Sequence, residues 1–318
     1  MAEKPKLNNP WLIAVWPGMG HVALNAGYYL LAKLDMHVFA EFEAANLFDI
    51  DHVEVSRGMI QPAGMPRHRF FLWTDPNQKR DIVVFLGEAQ PPIGKFAFCQ
   101  RLIEFARELG VERVYTFAAM ATQMHPNNHS RVFGAATDQQ LLEELKRLEL
   151  ELLQDGNIGG LNGVLLAAAA QAGMHGACLL GEMPHIFTQL PYPKASLAIL
   201  EVFTTITGID IDFKELQEQV NATNEQLSEL LAQVEKQYGQ QYPGNEEEEE
   251  GGGGGYRAEP AEEEEKVLSP ADQQRIDALF QTAKKDRSKA FELKQELDRL
   301  GLFKEYEDRF LDLFKKAG

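Results

Sequence analysis

The sequence predicts a three-layer α/β/α core followed by a C-terminal helical module. Three observations carry this reading. Apolar strand-like runs alternate with helical stretches through residue 237, and several runs are apolar along their whole length, as strands covered on both faces are. The alternation then stops at a Glu- and Gly-rich segment, beyond which only helical periodicity returns.

Taken in order, strands are expected at 11–16 (WLIAVW), 37–42 (HVFAEF), 69–74 (RFFLWT), 81–88 (DIVVFLGE), 112–120 (ERVYTFAAM), 131–137 (RVFGAAT) and 175–182 (HGACLLGE), all but the last carrying β-branched and aromatic residues. Helices are expected at 20–34, 94–109, 138–153, 160–172, 193–206 and 212–237. Between 43 and 74 the pieces HVEVSRGMI and RHRFFLWT flank QPAGMP with no helix between them, which predicts an antiparallel hairpin added to the parallel sheet. Residues 246–265 hold ten Glu against one Arg, so 239–267 is expected to be a self-repelling linker between a domain at 1–238 and a module at 268–318. In that module Ser269-Pro270 marks a helix start, and three apolar faces follow, the second closed by Gly301. Phe280, Leu297, Phe303, Phe310 and Phe314 lie on those faces; about fifty residues make a weak core alone, so these side chains are expected to dock on the main domain, a sister subunit or a partner.

The 318 residues carry a formal charge of −17, and an acidic chain repels phosphate backbones, so no nucleic-acid partner is expected. The N-terminal stretch lacks a signal-peptide core and no run reaches about 18 apolar residues, so no membrane partner is expected and the cytoplasm is the expected location. Two cysteines, Cys99 and Cys178, cannot build a disulfide framework or a thiolate zinc site. His125 and His129 have i, i+4 spacing, but Pro126 and two asparagines predict a loop, and no metal site is expected.

Chemistry, where it exists, concentrates at glycine turns and strand ends. Gly18, Gly20 and Ala23 match GxGxxA directly after a strand, a pattern whose helix N-terminus offers N–H groups to a phosphate, with His21 beside it. Gly160 and Asn162 sit in a second glycine-dense turn that opens an alanine-rich helix, and the two turns are expected on one rim of the sheet. Glu88 and Glu182 each end an apolar strand, a placement suited to acid–base work and equally to capping backbone N–H groups. No nucleophile elbow, HExxH or Walker A motif accompanies them. A nucleoside, phosphate or carboxylate ligand at the Gly18/Gly160 rim, in an enzyme or sensor, is therefore the alternative reading.

In combination, GMGHVALNAGYYLL, the GEAQPP turn, GNIGGLNGVLLAAAAQAG and ACLLGEMPHIFTQLPYPKASLAILEVFTTITGIDIDFKELQEQ resemble the family of proteasome assembly chaperones of the second type, over roughly residues 10–237. The resemblance implies a core similar to nucleoside phosphorylases and hydrolases, assembly into homo-oligomers, no catalytic activity and no cofactor. It also implies a chaperone or scaffold acting through oligomerisation and, here, a tethered helical tail that engages a client. For archaeal relatives the resemblance also implies docking through a terminal hydrophobic-Tyr-any residue tail, a pattern from which this sequence departs, ending Phe314-Lys315-Lys316-Ala317-Gly318.

Overall fold

Alternation along the first strand shows why a sheet covered on both faces forms. The computed structural model describes residues 5–49, 53, 55–56, 58–60, 64–148, 150–241 and 268–315. In it β1 (Trp11–Val15) is buried at all five positions. Successive side chains point to opposite faces, so Trp11, Ile13 and Val15 enter one apolar cluster while Leu12, Ala14 and the following Trp16 enter another.

After β1 come α1 (Val22–Lys33), β2 (His37–Glu41), β3 (Val55–Ser56), β4 (Met59–Ile60), β5 (His68–Trp73), β6 (Ile82–Gly87), α2 (Lys95–Glu108), β7 (Arg113–Thr122) and β8 (Val132–Ala136). The chain continues through α3 (Gln139–Leu145), β9 (Glu151–Leu152), α4 (Gly160–Gln171), β10 (His175–Pro184), α5 (Pro193–Thr207) and α6 (Lys214–Gln241). The C-terminal module is α7 (Pro270–Lys285), α8 (Ala290–Leu300) and α9 (Phe303–Leu311). Eight strands form one mixed sheet in the order β2-β5-β6-β1-β7-β10-β8-β9. β6, β1, β7 and β10 run parallel, and β2 shares their direction because β5 is antiparallel to both its neighbours. Helices α1 and α5 cover one face, and α2 and α4 the other. This is the expected α/β core with a C-terminal helical module.

Two local expectations are corrected. The helix expected over 138–153 stops at Leu145, and Glu151–Leu152 instead pairs with Phe133 and Gly134 of β8. Leu148, Leu150 and Leu152 alternate with polar residues, a period-2 pattern that packs on the core from a strand and would wrap around a helix. Among the described residues, the pieces flanking QPAGMP do not pair with each other. HVEVSRGMI folds on itself as the β3–β4 hairpin, and RHRFFLWT supplies β5, inserted between β2 and β6. The expected linker begins inside α6, which runs to Gln241, and its remainder, 242–267, lies outside the described residues.

The tail helices form a further layer over α1. Ten of the twelve α1 residues are buried, including Tyr28 and Tyr29 on its outer side. A helix apolar all round needs cover on every side. The cover is aromatic: Tyr29 meets Phe291 at 4.6 Å between ring centroids, Tyr28 meets Phe303 at 5.0 Å and Phe310 at 5.6 Å, and Phe71 meets Phe314 at 6.1 Å. Ser269 caps α7 through the Asp272 N–H, and Gly301 closes α8 in the left-handed region, both as the sequence predicts.

Candidate functional site

The two glycine turns do lie side by side, at the carboxyl ends of the parallel strands. What joins them is the Gln90 side chain. Its Oε1 accepts from the Leu161 N–H at 3.0 Å, and its Nε2 donates to the Pro17 carbonyl at 3.3 Å. The Leu161 N–H at the start of α4 thus already has an acceptor, in the place an anion would take. Gly160 has a left-handed φ of 66°, and a Cβ there would stand 2.7 Å from Gln90 Oε1. At the other turn the Gly20 N–H donates to the Thr188 carbonyl, His21 to Gly18 and Val22 to Met19. Three successive donors of the GxGxxA turn are spent within the protein. Gly20, at φ 61°, also faces Met183 and Tyr192, so this turn serves close packing against the segment that follows β10. Asn162 contributes its carbonyl to the Thr116 hydroxyl at 3.2 Å, again a structural role.

The two strand-end carboxylates are far apart. Glu88 follows β6 and Glu182 lies in β10, three strand positions away, which is about 14 Å at the usual spacing. That exceeds the span of a cooperating acid–base pair, about 5–9.5 Å. Each is engaged locally. Glu88 accepts from the Arg67 N–H at 2.8 Å and from Arg69 Nη1 at 2.7 Å; burial pushes its carboxyl up against the pull of those donors. Glu182, 1% exposed, accepts from Arg131 Nε at 2.7 Å and Nη2 at 2.6 Å, and from the Thr122 hydroxyl at 2.7 Å. The Arg131 hydrogen bonds hold its carboxyl below the ordinary range in spite of burial. Both acids pin loops. A cavity of 740 Å³ opens beside the second of them, between β8, the α3–β9 connection and α5, but the Arg131 on its wall is committed to Glu182 and Glu151. His125 and His129 sit in a loop, with the Asn128 N–H on the His125 carbonyl.

The residues expected to engage a partner are spent inside the chain. Phe280, Leu297, Phe310 and Phe314 are each 0% exposed and Phe303 is half-buried, all within the cluster that includes α1 and β5. Apolar faces this complete bind the nearest apolar surface, and α1 offers it. Phe70, Phe71 and Phe187 are likewise buried by their own chain, and Trp73 packs against the same cluster as the tail.

Polar ties reinforce the tail. The Tyr28 hydroxyl donates to Glu307, Arg69 bridges Glu88 and Asp308, and Arg67 bridges Glu41 and Asp308. Burial raises the Asp308 carboxyl, but Arg69 and then Arg67 outweigh it and hold it low. His21 faces Lys294 and Asp298 of α8, with its imidazole pushed down first by burial and then by Lys294. Gln90, Arg67, Arg69 and Arg131 are the residues that sequence reasoning missed. The only sequence signal for them was the RHR triplet and the arginine opening a strand; no spacing rule links them to partners 19 to 241 positions away.

Residues 12–231 match the profile of the PAC2 family. The chain is 27% identical over 234 residues to the uncharacterised protein MJ1210 of Methanocaldococcus jannaschii, covering 73% of this chain and 86% of that one. Among solved structures it is similar to Pyrococcus furiosus PbaB, described as an archaeal proteasome activator, with a TM-score of 0.62, 27% identity and coverage of 72% of this chain and 96% of that one. It is also similar to Pyrococcus furiosus PbaA, described as an archaeal homolog of proteasome-assembly chaperone, with a TM-score of 0.55, 25% identity and coverage of 74% and 97%.

Proposed function

The chain belongs to the PAC2 family, and from that premise we propose that it is a non-catalytic assembly chaperone or scaffolding protein, acting in the cytoplasm as a homo-oligomer on a protein client. One observation carries the non-catalytic part. The Leu161 N–H of the second glycine turn is taken by Gln90, and the Gly20, His21 and Val22 N–H groups of the first by Thr188 and the turn's own carbonyls, so these donors of the rim hold loops in place. The small-molecule reading of the Gly18/Gly160 rim needs those same donors.

In this reading the tail is a cover docked on α1, tethered through 242–267, and its release exposes an apolar helix face to a client. The client class that the relatives' descriptions suggest is the subunit of a ring protease. No helix among the described residues is long and apolar enough to cross a membrane.

The test is native mass spectrometry of the tagged full chain captured from its own cells. A stoichiometric protein complex is expected. A stoichiometric small molecule carried by the purified chain, lost on Gln90→Ala or Gly160→Val, overturns the reading.

A further inference from the structure

Among the described residues, ten of the eleven large apolar side chains that stand exposed lie at one edge of the sheet. They follow the carboxyl ends of parallel strands: Met19 after β1, Val55 and Ile60 after β2, Ile93 after β6, Ile186 and Leu190 after β10. These connections touch one another. Arg101 donates to the Glu43 carbonyl at 2.7 Å, Gly94 abuts Leu47, Gln90 reaches Pro17, and Gly20 exchanges backbone hydrogen bonds with Thr188 and Tyr192. The connections after β1, β2, β6 and β10 are therefore packed side by side at this edge.

We propose that this edge is the interface with a second copy of this chain. The inference rests on the oligomeric part of the proposed function and assigns it a surface. Size favours it. A half-exposed large apolar side chain offers roughly 100 Å², so ten offer on the order of 1,000 Å², above the ~300–600 Å² of the largest patch on a typical monomer and near the ~800 Å² per partner of a stable interface. The β3–β4 hairpin adds a second reason. Among the described residues its two strands pair with each other, outside the main sheet, and a two-stranded ribbon is marginal in water until another surface covers it.

Charge selects the occupant. Net acidity disfavours anionic lipid, and about half of it lies in 246–265, away from the folded edge in sequence. Two carboxylates flanking the edge are paired internally, Glu41 with Arg67 and Glu88 with Arg69. An apolar surface with internally paired charges presents little repulsion to an identical copy and is self-complementary under a two-fold axis. The corresponding faces of the C-terminal helices are already filled, which leaves this edge as the large uncovered apolar surface among the described residues.

The experiment compares the full chain with the double variant Ile60→Asp/Ile93→Asp, both positions at least 70% exposed, so folding is not at stake and far-UV circular dichroism checks it. Sedimentation velocity from about 1 to 100 µM should show self-association of the wild type and at least a tenfold or so weaker association of the variant. A second measurement uses Ile93→Cys. Native Cys99 and Cys178 are buried with thiols pushed up to about 12, so the new thiol is the reactive one, and its alkylation should slow as protein concentration rises. A chain that stays monomeric throughout this range, or an oligomer indifferent to the double variant, overturns the inference. Client capture with the same variant separates the two readings. Loss of client at unchanged mass assigns the edge to the client and overturns this inference, whereas a disrupted oligomer in a protein that never holds a client keeps the interface and overturns the chaperone reading.

Discussion

The Tyr28 hydroxyl donates to a carboxylate oxygen of Glu307 at 2.7 Å, a buried hydrogen bond between residues 279 positions apart. It ties the first core helix to the last helix of the tail. Glu307 also receives Lys304 at 2.8 Å, so removing Tyr28's hydroxyl leaves a buried carboxylate short of one partner.

Tyr28→Phe should therefore weaken tail docking by about 1–2 kcal/mol, read as faster proteolysis of residues 268–315. The bond also sets an alkaline limit. Burial, and then Glu307, raise the Tyr28 phenol well above its ordinary value. A group whose pKa is higher folded than unfolded contributes its stability fully below the unfolded value, about 10, and loses it as pH rises further. Tail release should begin above about pH 10 together with phenolate absorbance, and Tyr28→Phe should remove that step.

Phe310 contacts Tyr28, Phe314 contacts Phe71, and all four side chains are buried. On sequence alone, replacing Phe310 and Phe314 with Ser would leave the core's melting transition in place, as for an independent clamp. The structure reverses that expectation, because truncating a buried Phe costs about 3–5 kcal/mol. Phe310→Ser/Phe314→Ser should lower the transition and raise dye binding to exposed apolar surface. An unchanged transition would mean the tail does not dock as described.

Gln90→Ala should cost about 1 kcal/mol by leaving the Leu161 N–H without its acceptor. Gly160→Val should cost more, since φ is 66° and the added Cβ meets the Gln90 amide. Chemical denaturation of the two variants gives the order directly.

Two acidic-range effects are expected. Arg131 holds Glu182's pKa below its unfolded value, so this ion pair contributes stability above about pH 4.3 that is lost as pH falls toward the folded pKa. Glu182→Gln should remove this part of the acid transition and destabilise the neutral protein by about 1–3 kcal/mol, because a neutral amide cannot receive the guanidinium through both of its terminal atoms. His68 lies among Phe48, Phe85 and Phe98, where burial and then Arg69 push its imidazole down to about 4. The unfolded chain binds that proton near pH 6.5, so stability should also decline from there toward pH 4, and His68→Phe should flatten this limb.

The sequence by itself determined the seven strands it named, both glycine turns, the caps at Ser269 and Gly301, and the family. These are local facts. A strand's continuous apolarity, a left-handed glycine and a Ser-Pro helix start are each settled within a few residues of chain. Even the missed β9 was written locally, in the alternating leucines at 148, 150 and 152. The largely apolar helix that carries YYLL was a comparable signal that something must lie over α1, although not what. Tertiary structure alone decided what each chemical group was for. Whether Glu88 and Glu182 cooperate depends on strand order, which places two strands between theirs. Whether the glycine turns cradle a ligand depends on Gln90, a residue no motif marks, arriving from another connection. Whether Phe310 and Phe314 face a partner or their own core depends on where a tail joined through 242–267 comes to rest. Hydrophobic burial has no direction of its own, so an apolar face in sequence specifies that it will be covered, and only the folded chain specifies by what.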